Sequence, residues 1–389
     1  MTTAASAQSA APAAHEGLRD VIANESAICT VIGDPELPEG RLIYRGYDIH
    51  DLAQHSTFEE TTYLLWHGEL PSKQQLNKLE QQLEAHRILP DPVIDLMRRF
   101  PLQATPMDVL RTTVSALQLW DSDENDDSDL ANHRKAMRLT AQIPMLVTAW
   151  HSIRSGQEPV GPRPGQSTAR AFLFMLSGGQ EPTDVAERTL DTALILHADH
   201  ELNASTFAAR VTAATLADVH SAITSALGAL IGPLHGGANE AVLRMLREIG
   251  DPSRVESYID AKLERHEKIM GFGHAVYKTK DPLATNLREM SRQLGESRGD
   301  LKYWQMSRQV EDLMLQKRSL HCNVDFYSAS TYYALGFPID LFTPVFAVSR
   351  IAGWTAHVLE QYADNKLIRP RAQYVGQWDR KYIPVEQRA

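Results

Sequence analysis

Apolar residues recur every three or four positions along most of the chain, a spacing that places them on one face of an α-helix. Five segments with this spacing occupy residues 58–67, 73–86, 92–100, 107–119 and 134–154. Two short apolar runs at 27–32 and 41–44, separated by a segment rich in proline and glycine, predict a hairpin instead. We therefore expect an all-α fold with a small N-terminal β-hairpin.

Residues 222–234 combine a stripe of large apolar side chains with small, uncharged residues at most of the other positions. The large side chains belong to Ile223, Leu227, Leu230, Ile231 and Leu234. A helix that is apolar or small on all sides is buried on all sides. The pattern predicts either a central core helix or one half of a subunit interface, and it fits both.

Composition narrows the class of protein. The 389 residues are 43% hydrophobic and carry a formal net charge of −10, so a nucleic-acid-binding role has no overall electrostatic support. No apolar run is long enough to span a membrane, and residues 1–15 are predicted to be a disordered tail rather than a signal peptide. The two isolated cysteines form neither a disulfide framework nor a metal cluster, so we expect a cytoplasmic protein.

The segment GPLHGGAN at 232–239 places His235 among helix breakers, just ahead of an amphipathic run at 240–249. At or just before a helix N-terminus, the helix dipole disfavours the imidazolium form. A neutral imidazole held there can donate a hydrogen bond to a carbonyl oxygen and stabilise an enol. The alternative is a histidine that caps or packs locally, and this motif alone does not separate the two.

Two further histidine clusters flank this motif. His197 and His200 would share a face of one helix, but zinc needs a third ligand, so we favour histidines hydrogen-bonded in a polar core seam over a metal site. His274 follows Gly271 and Gly273 in GFGHAV, so glycines neighbour this histidine as they neighbour His235. Asp281 and Pro282 then predict the N-cap and first residue of the next helix.

Asp325 stands between Val324 and Phe326, ahead of a segment at 327–335 with helical spacing. If the carboxyl is buried, its pKa rises toward the value that a general base needs near neutral pH. The competing interpretation is a helix N-cap, which the residue taken singly favours.

Eight segments, in order along nearly the whole chain, resemble the citrate synthase family. They read YRGY (44–47), PMDVLR (106–111), HADHELNAS (197–205), GPLHGGAN (232–239), GFGHAV (271–276), NVD (323–325), FTPVFAVSRIAGW (342–354) and RPRAQYVG (369–376). Each segment is weak evidence alone, and their number and order make the resemblance specific.

The resemblance implies that the methyl carbon of acetyl-CoA is joined to the ketone of oxaloacetate, after which the citryl thioester is hydrolysed. Making the methyl group acidic needs a base and an oxyanion donor together. By match to the family motifs, Asp325 would remove the methyl proton and His235 would hydrogen-bond the thioester oxygen. His274 would polarise and protonate the oxaloacetate carbonyl, and His200 would bind oxaloacetate.

Oxaloacetate is a dianion, so its site should hold arginines. Arg350 and Arg369 match two carboxylate ligands of the family, and Arg369 would come from the neighbouring subunit, which implies an obligate homodimer. Lys278 and Arg45 are candidates for CoA contacts. The resemblance implies no metal and no cofactor, because acetyl-CoA is a substrate, and it implies neither a nucleic-acid nor a membrane partner.

Leu283 is the main departure from the family pattern, which reads Asp-Pro-Arg where this chain has Asp-Pro-Leu. Losing a charge-assisted carboxylate contact costs on the order of 2 to 4 kcal/mol where it is desolvated. Lys278, Lys280 and Arg288 lie close enough in sequence to compensate. The expected result of Leu283→Arg is tighter oxaloacetate binding.

The resemblance also implies two helical domains with the site in the cleft between them. We expect residues 16–235 and 346–389 to form a large domain and residues 236–345 a small one. Two other functions stay open: a 2-methylcitrate synthase that uses propionyl-CoA, and a weakly active or non-catalytic paralogue, which the loss at Leu283 allows. A difference of one methylene is worth roughly 1 to 3 kcal/mol, and sequence does not resolve it.

Overall fold

The structure, a computed structural model, describes residues 21–273, 276–277 and 279–388. The predicted disordered tail at 1–15 lies outside these residues.

The predicted N-terminal hairpin is present. Strand β1 (Cys29–Ile32) pairs antiparallel with β2 (Arg41–Tyr44), with Cys29 opposite Tyr44. A two-residue strand β3 (Tyr47–Asp48), which the sequence pattern does not predict, adds to the far side of β2. The side chain of Asp48 then caps the first helix by accepting from the backbone N–H of His50.

The all-α prediction is confirmed, because helices account for most of the residues that the structure describes. They are α1 (Ile49–His55), α2 (Phe58–His67), α3 (Lys73–Ala85), α4 (Asp91–Met97), α5 (Pro106–Leu117), α6 (Asp129–Arg154), α7 (Thr168–Leu176), α8 (Asp184–His197), α9 (Ala204–Ala213), α10 (Val219–Leu230), α11 (Ala238–Ile249), α12 (Val255–Glu264), α13 (Pro282–Arg298), α14 (Lys302–Arg318), α15 (Val324–Ala334) and α16 (Phe342–Ala363).

The five helices predicted from apolar spacing correspond to α2 through α6. Local caps explain their starting points: Ser72 forms a capping box with Gln75 ahead of α3, and Ser128 accepts from the backbone N–H of Ala131 at the start of α6. Because of that cap, α6 begins five residues before its predicted start at residue 134.

Helix α10 corrects the prediction for residues 222–234. The helix ends at Leu230, and Leu234 lies beyond it with its side chain fully exposed. One face is buried, whereas Gly228 on the other face is exposed in this single chain. The helix is therefore buried on one side, by packing on α5, α9 and α16. Whether a partner covers the exposed side stays a prediction.

The long helix α16 is the centre of the packing, in contact with α2, α6, α8, α9 and α10. Helices α11 to α15 pack mainly on one another, with α13 and α11 against α15 and α12 against α14. Helix α13 also packs against α8 and so connects the two groups. The division into domains at residues 236 and 345 stays a prediction. Among the described residues, the helices are too short or too polar to cross a membrane.

Candidate active site

His235 lies in a tight loop between α10 and α11, three residues before α11 begins at Ala238. The loop is fixed on both sides: the Gly236 N–H donates to the Leu230 carbonyl at 3.1 Å, and the Thr343 hydroxyl donates to the Gly236 carbonyl at 3.0 Å. A Cβ on Gly236 would lie 2.3 Å from the Leu230 oxygen, so this close approach requires glycine. The predicted position ahead of a helix is confirmed.

Ser205, at the start of α9, holds one ring nitrogen of His235. Its Oγ lies 2.8 Å from His235 Nε2 and 2.8 Å from Asn203 Oδ1, and it accepts the indole N–H of Trp354 at 3.1 Å. Asn203 Oδ1 also accepts the backbone N–H groups of Ser205 and Thr206 and so acts only as an acceptor here. The single hydroxyl proton of Ser205 therefore goes either to Asn203 or to His235, and that choice sets the tautomer of His235.

Burial, followed by the charge of Arg350, lowers the pKa of His235 to about 4. The imidazole is thus neutral at pH 7, the charge state predicted from the sequence. Desolvation and a neighbouring guanidinium, neither of which the sequence pattern predicts, lower this pKa.

Arg350 lies on α16 with only 3% of its surface exposed. Its Nε donates to the His197 carbonyl at 2.6 Å, and its guanidinium carbon lies 4.5 Å from the centre of the Phe346 ring. The Phe346 ring packs edge-to-face against two imidazoles. Its centroid lies 5.1 Å from the ring centroid of His197 and 6.4 Å from that of His235. A buried cation is therefore positioned beside two imidazoles, where an anionic ligand would be favoured.

The predicted shared helix face of His197 and His200 is wrong. Helix α8 ends at His197, and His200 lies in the turn that follows. His197 is buried, with Nδ1 2.8 Å from the Ala193 carbonyl, and burial lowers its pKa to about 4. His200 packs edge-on against Tyr277 at 5.8 Å. Across the described residues, His, Cys, Asp and Glu form no group that could hold a metal ion.

Asp325 is the second residue of α15, so the N-cap interpretation is wrong: Asn323 occupies the cap position. Burial raises the pKa of Asp325 to about 6, although Arg350 opposes the shift. A carboxyl with this pKa is ionised at pH 7 and basic enough to accept a proton from a weak carbon acid. Because the charge of Arg350 acts on both Asp325 and His235, the three side chains lie within one electrostatic neighbourhood.

The loop that carries His274 is attached to the start of α15. The Gly271 carbonyl accepts the Asn323 N–H at 2.9 Å, and the Asn323 side chain donates to the Gly273 carbonyl at 2.9 Å. Gly271 has a φ of +81°, and a Cβ there would lie 2.7 Å from the Phe326 ring. These contacts place the backbone next to His274 close to the helix of Asp325, while His274 and Lys278 themselves lie outside the described residues.

Asp281 joins the starts of two helices. As predicted, it caps α13, accepting the Leu283 N–H at 2.9 Å, and its other oxygen accepts the Val324 N–H of α15, also at 2.9 Å. Burial and the neighbouring Asp325 raise the pKa of Asp281 to about 7, against the hydrogen bonds that it accepts. Leu283 is 2% exposed and packs in the apolar core. The interactions of Asp281 with α15 carry no sequence signal beyond its capping role.

Four other predicted cations lie elsewhere in the described chain. Arg45 donates twice to the Leu65 carbonyl, at 3.1 and 2.8 Å, and Arg369 is exposed after the end of α16. Lys280 faces Glu39 at 3.6 Å and Arg288 faces Glu311 at 3.5 Å. Both candidates to compensate for Leu283 thus already face a carboxylate, and their contribution to oxaloacetate binding stays a prediction.

A cavity of about 630 Å³ begins at Leu234, the residue before His235. Its wall includes residues 269–272 and Asn323, together with two cations, Lys268 and Arg318, and one acid, Glu267. The sequence motifs did not predict either cation, because neither lies in one of the histidine- or glycine-containing segments. Only the position of Lys268 just ahead of GFGHAV pointed toward the site.

The chain is similar to known proteins over nearly its whole length. The family model for "Citrate synthase, C-terminal domain" matches residues 17–371. The chain is 51% identical to citrate synthase 2 of Bacillus subtilis, over 97% of this chain and all of that protein. It is 41% identical to a 2-methylcitrate synthase of Shewanella oneidensis, over 96% and 97% of the two chains.

A solved structure shows a similar fold. The citrate synthase of Thermoplasma acidophilum, described as a ternary complex with carboxymethyl coenzyme A and oxaloacetate, superposes with a TM-score of 0.88 at 33% identity. The match covers 96% of this chain and 99% of that one. The similarity thus includes both groups of helices and the loops between them.

Proposed function

The chain belongs to the citrate synthase family of acyltransferases, and we propose that it joins the methyl carbon of acetyl-CoA to the ketone carbon of oxaloacetate and then hydrolyses the citryl thioester. The observation that carries this proposal is the grouping of a buried Arg350 with a neutral His235 and with an Asp325 whose pKa is about 6. These groups supply a cation, a neutral hydrogen-bond donor and a base for one reaction.

Asp325 removes a proton from the methyl group of acetyl-CoA. The thioester oxygen gains electron density in this step and accepts a hydrogen bond from His235. Since Nε2 of His235 faces Ser205, Nδ1 is the nitrogen available to the thioester. Nδ1 carries the proton when the Ser205 hydroxyl donates to Nε2 rather than to Asn203 Oδ1, and the proposed reaction uses this arrangement.

Oxaloacetate is held by Arg350 and His200, with Arg369 contributed by a second subunit. The exposed C-terminal segment after α16 supports this assembly, because several large apolar side chains are uncovered in the single chain. They include Tyr374, Val375, Trp378 and Tyr382. The enzyme is therefore proposed to act as a homodimer in the cytoplasm.

The enol carbon attacks the ketone carbon of oxaloacetate, and His274 donates a proton to the ketone oxygen as the new bond forms. Water then cleaves the thioester, which releases CoA and citrate. The proposed closure of the small domain, residues 236–345, over the large one would exclude bulk water until the new bond is made.

The CoA chain is proposed to occupy the cavity that begins at Leu234. Its volume of about 630 Å³ suits part of a large ligand, and Lys268 and Arg318 offer positive charge to its phosphates. Lys278 remains a further candidate for such a contact. Arg45 is a weaker one, because its guanidinium already donates to the Leu65 carbonyl.

A second candidate function is 2-methylcitrate synthesis from propionyl-CoA. The similarity to the Shewanella oneidensis enzyme favours it as the alternative, and the chemistry differs by one methylene on the acyl group. The family match, together with the grouping of Arg350, His235 and Asp325, favours either enzymatic function over a non-catalytic role.

An assay of thiol release tests the proposal. The purified protein is mixed with oxaloacetate and either acetyl-CoA or propionyl-CoA, and the kcat/KM values are compared. We expect acetyl-CoA to be preferred. A preference for propionyl-CoA would establish the second function, and no thiol release with either substrate would refute both. Activity that persists in the presence of a chelator is expected, because no metal takes part.

A further inference from the structure

A row of buried polar side chains runs behind the proposed oxaloacetate site. His357 Nε2 lies 3.1 Å from Asp199 Oδ2, and Arg210 Nη1 lies 2.9 Å from His357 Nδ1. The same arginine contacts Glu360 at 2.6 Å. Asp199 and His357 are fully buried, and Arg210 is 2% exposed. The row joins the turn after α8 to α16 and α9.

Donor and acceptor chemistry determines the direction of these hydrogen bonds. A guanidinium only donates, so Nδ1 of His357 must accept from Arg210. The ring proton of His357 then lies on Nε2, where it can donate only to the carboxylate of Asp199. The side chain of Arg210 therefore selects the tautomer of His357 in which the histidine binds Asp199.

Asp199 lies in the turn that carries the oxaloacetate candidates. It comes two residues after His197, whose carbonyl accepts from Arg350, and just before His200. Burial alone would raise the pKa of Asp199, but His357 and Arg350 lower it, so the carboxylate is ionised beside Arg350. Among the nearby charges, Asp199 contributes most to raising the pKa of Arg350, which burial lowers.

The main chain of the turn leaves little room for adjustment. The Tyr44 hydroxyl donates to the Asp199 carbonyl at 2.8 Å, and the Gly353 N–H donates to the Ala198 carbonyl at 3.0 Å. A Cβ on Gly353 would lie 2.5 Å from Asp199 Oδ1, so α16 approaches this carboxylate closely. The main chain around Asp199 is thus held in place, and the hydrogen bond between His357 Nε2 and Oδ2 orients the carboxylate within this space.

We propose that His357 is a positioning residue for the oxaloacetate site: it orients the carboxylate of Asp199, which holds Arg350 and the 197–200 turn in their binding geometry. This inference rests on the proposed function. Arg210 extends the effect to α9, the helix whose first turn contains Ser205, the partner of His235. One helix thus supports the oxaloacetate side through Arg210 and the thioester side through Ser205.

The test compares His357→Phe with His357→Gln. Phenylalanine keeps the ring and removes both hydrogen bonds, whereas glutamine retains an N–H donor for Asp199. We expect His357→Phe to raise the KM for oxaloacetate at least about tenfold and to change the KM for acetyl-CoA less than about twofold, since it removes a hydrogen bond to a buried charge. His357→Gln is expected to recover most of the oxaloacetate affinity.

Thr355→Val serves as the matched control. Thr355 is fully buried on the same helix, and its hydroxyl accepts the indole N–H of Trp66 outside the row. This variant should lose stability but keep both KM values. If His357→Phe does not fold, the same measurement is made on Arg210→Gln. The KM for oxaloacetate is then expected to rise at least about threefold.

Three results would overturn the inference. In His357→Phe, these are equal rises in the KM values for oxaloacetate and acetyl-CoA, or unchanged KM values in a folded protein. The third is a His357→Gln variant whose KM for oxaloacetate is as high as that of His357→Phe. Calorimetric titration of oxaloacetate into the wild-type protein separates this failure from a failure of the proposed function. A wild-type protein that neither binds oxaloacetate nor releases thiol refutes both proposals, whereas a functional wild type with an unaffected His357→Phe variant refutes only this one.

Discussion

The two sides of the proposed site are built differently. On the oxaloacetate side, Arg350 and Asp199 are buried on α16 and in the turn after α8, and both are held by side chains and carbonyls from several helices. On the thioester side, a 630 Å³ cavity adjoins the 269–273 loop, and the loop is held mainly by contacts with Asn323. Among the described residues, the Oδ1 of that asparagine has no hydrogen-bond partner.

This difference matches the two ligands. A small dianion gains most from charges that are already oriented, because no reorganisation is needed when it binds. A long thioester needs space and a surface that adjusts around it. We therefore expect oxaloacetate to bind to a preformed site and acetyl-CoA to bind to one that is completed afterwards. Variants that affect one side should leave the KM of the other substrate nearly unchanged.

The largest effect is expected for Asp325→Asn, which removes the base on the thioester side. The kcat should fall by about 10³-fold, within the usual range for a general base, while the KM for oxaloacetate stays the same. In the wild type, kcat/KM for acetyl-CoA should fall as the pH drops through about 6, because Asp325 then takes up a proton. Steady-state kinetics from pH 5 to 8 measures both effects.

Asp312→Asn is the matched control, since Asp312 is an exposed acid on α14 in the same group of helices. It should retain full activity and the wild-type pH profile. If Asp325→Asn also raised the KM for oxaloacetate more than a few fold, the two sides would not be separate.

A smaller effect is expected for Ser205→Ala, which removes the hydroxyl beside Nε2 of His235. The imidazole then loses the hydroxyl that can donate to Nε2 and so place the proton on Nδ1, and kcat should fall about tenfold, equivalent to roughly 1.4 kcal/mol, with little change in either KM. Thr140→Val is the control, because that buried hydroxyl donates to the Ala136 carbonyl of its own helix. A fall in kcat for both variants would indicate a general loss of stability.

Local patterns in the sequence predicted the helices and the position of His235, because apolar spacing and glycine act within a few residues. The interactions that build the oxaloacetate side join residues about 150 positions apart, such as Arg350 with His197 and Arg210 with His357. The spacing of apolar residues along the chain does not predict such distant pairs. The same limit explains the error at Asp325, where a local rule favoured a cap and long-range burial determined the pKa.

The smallest effect is expected for Leu283→Arg, which adds a cation to the first turn of α13 beside Asp281. The new guanidinium should lower the KM for oxaloacetate by up to about tenfold through a charge-assisted contact. Leu283 packs in the apolar core, so the variant should also lose about 2 kcal/mol of unfolding free energy and melt at a lower temperature.

Leu283→Met separates these two effects, because methionine nearly conserves volume and adds no charge. It should leave the KM for oxaloacetate unchanged and cost less stability than arginine. A folded Leu283→Arg protein with an unchanged or higher KM would show that α13 lies too far from the dianion to assist. Oxaloacetate affinity would then depend on the side built around Arg350 and on Arg369, which is proposed to come from a second subunit. The separation between the two sides would be sharper than we propose.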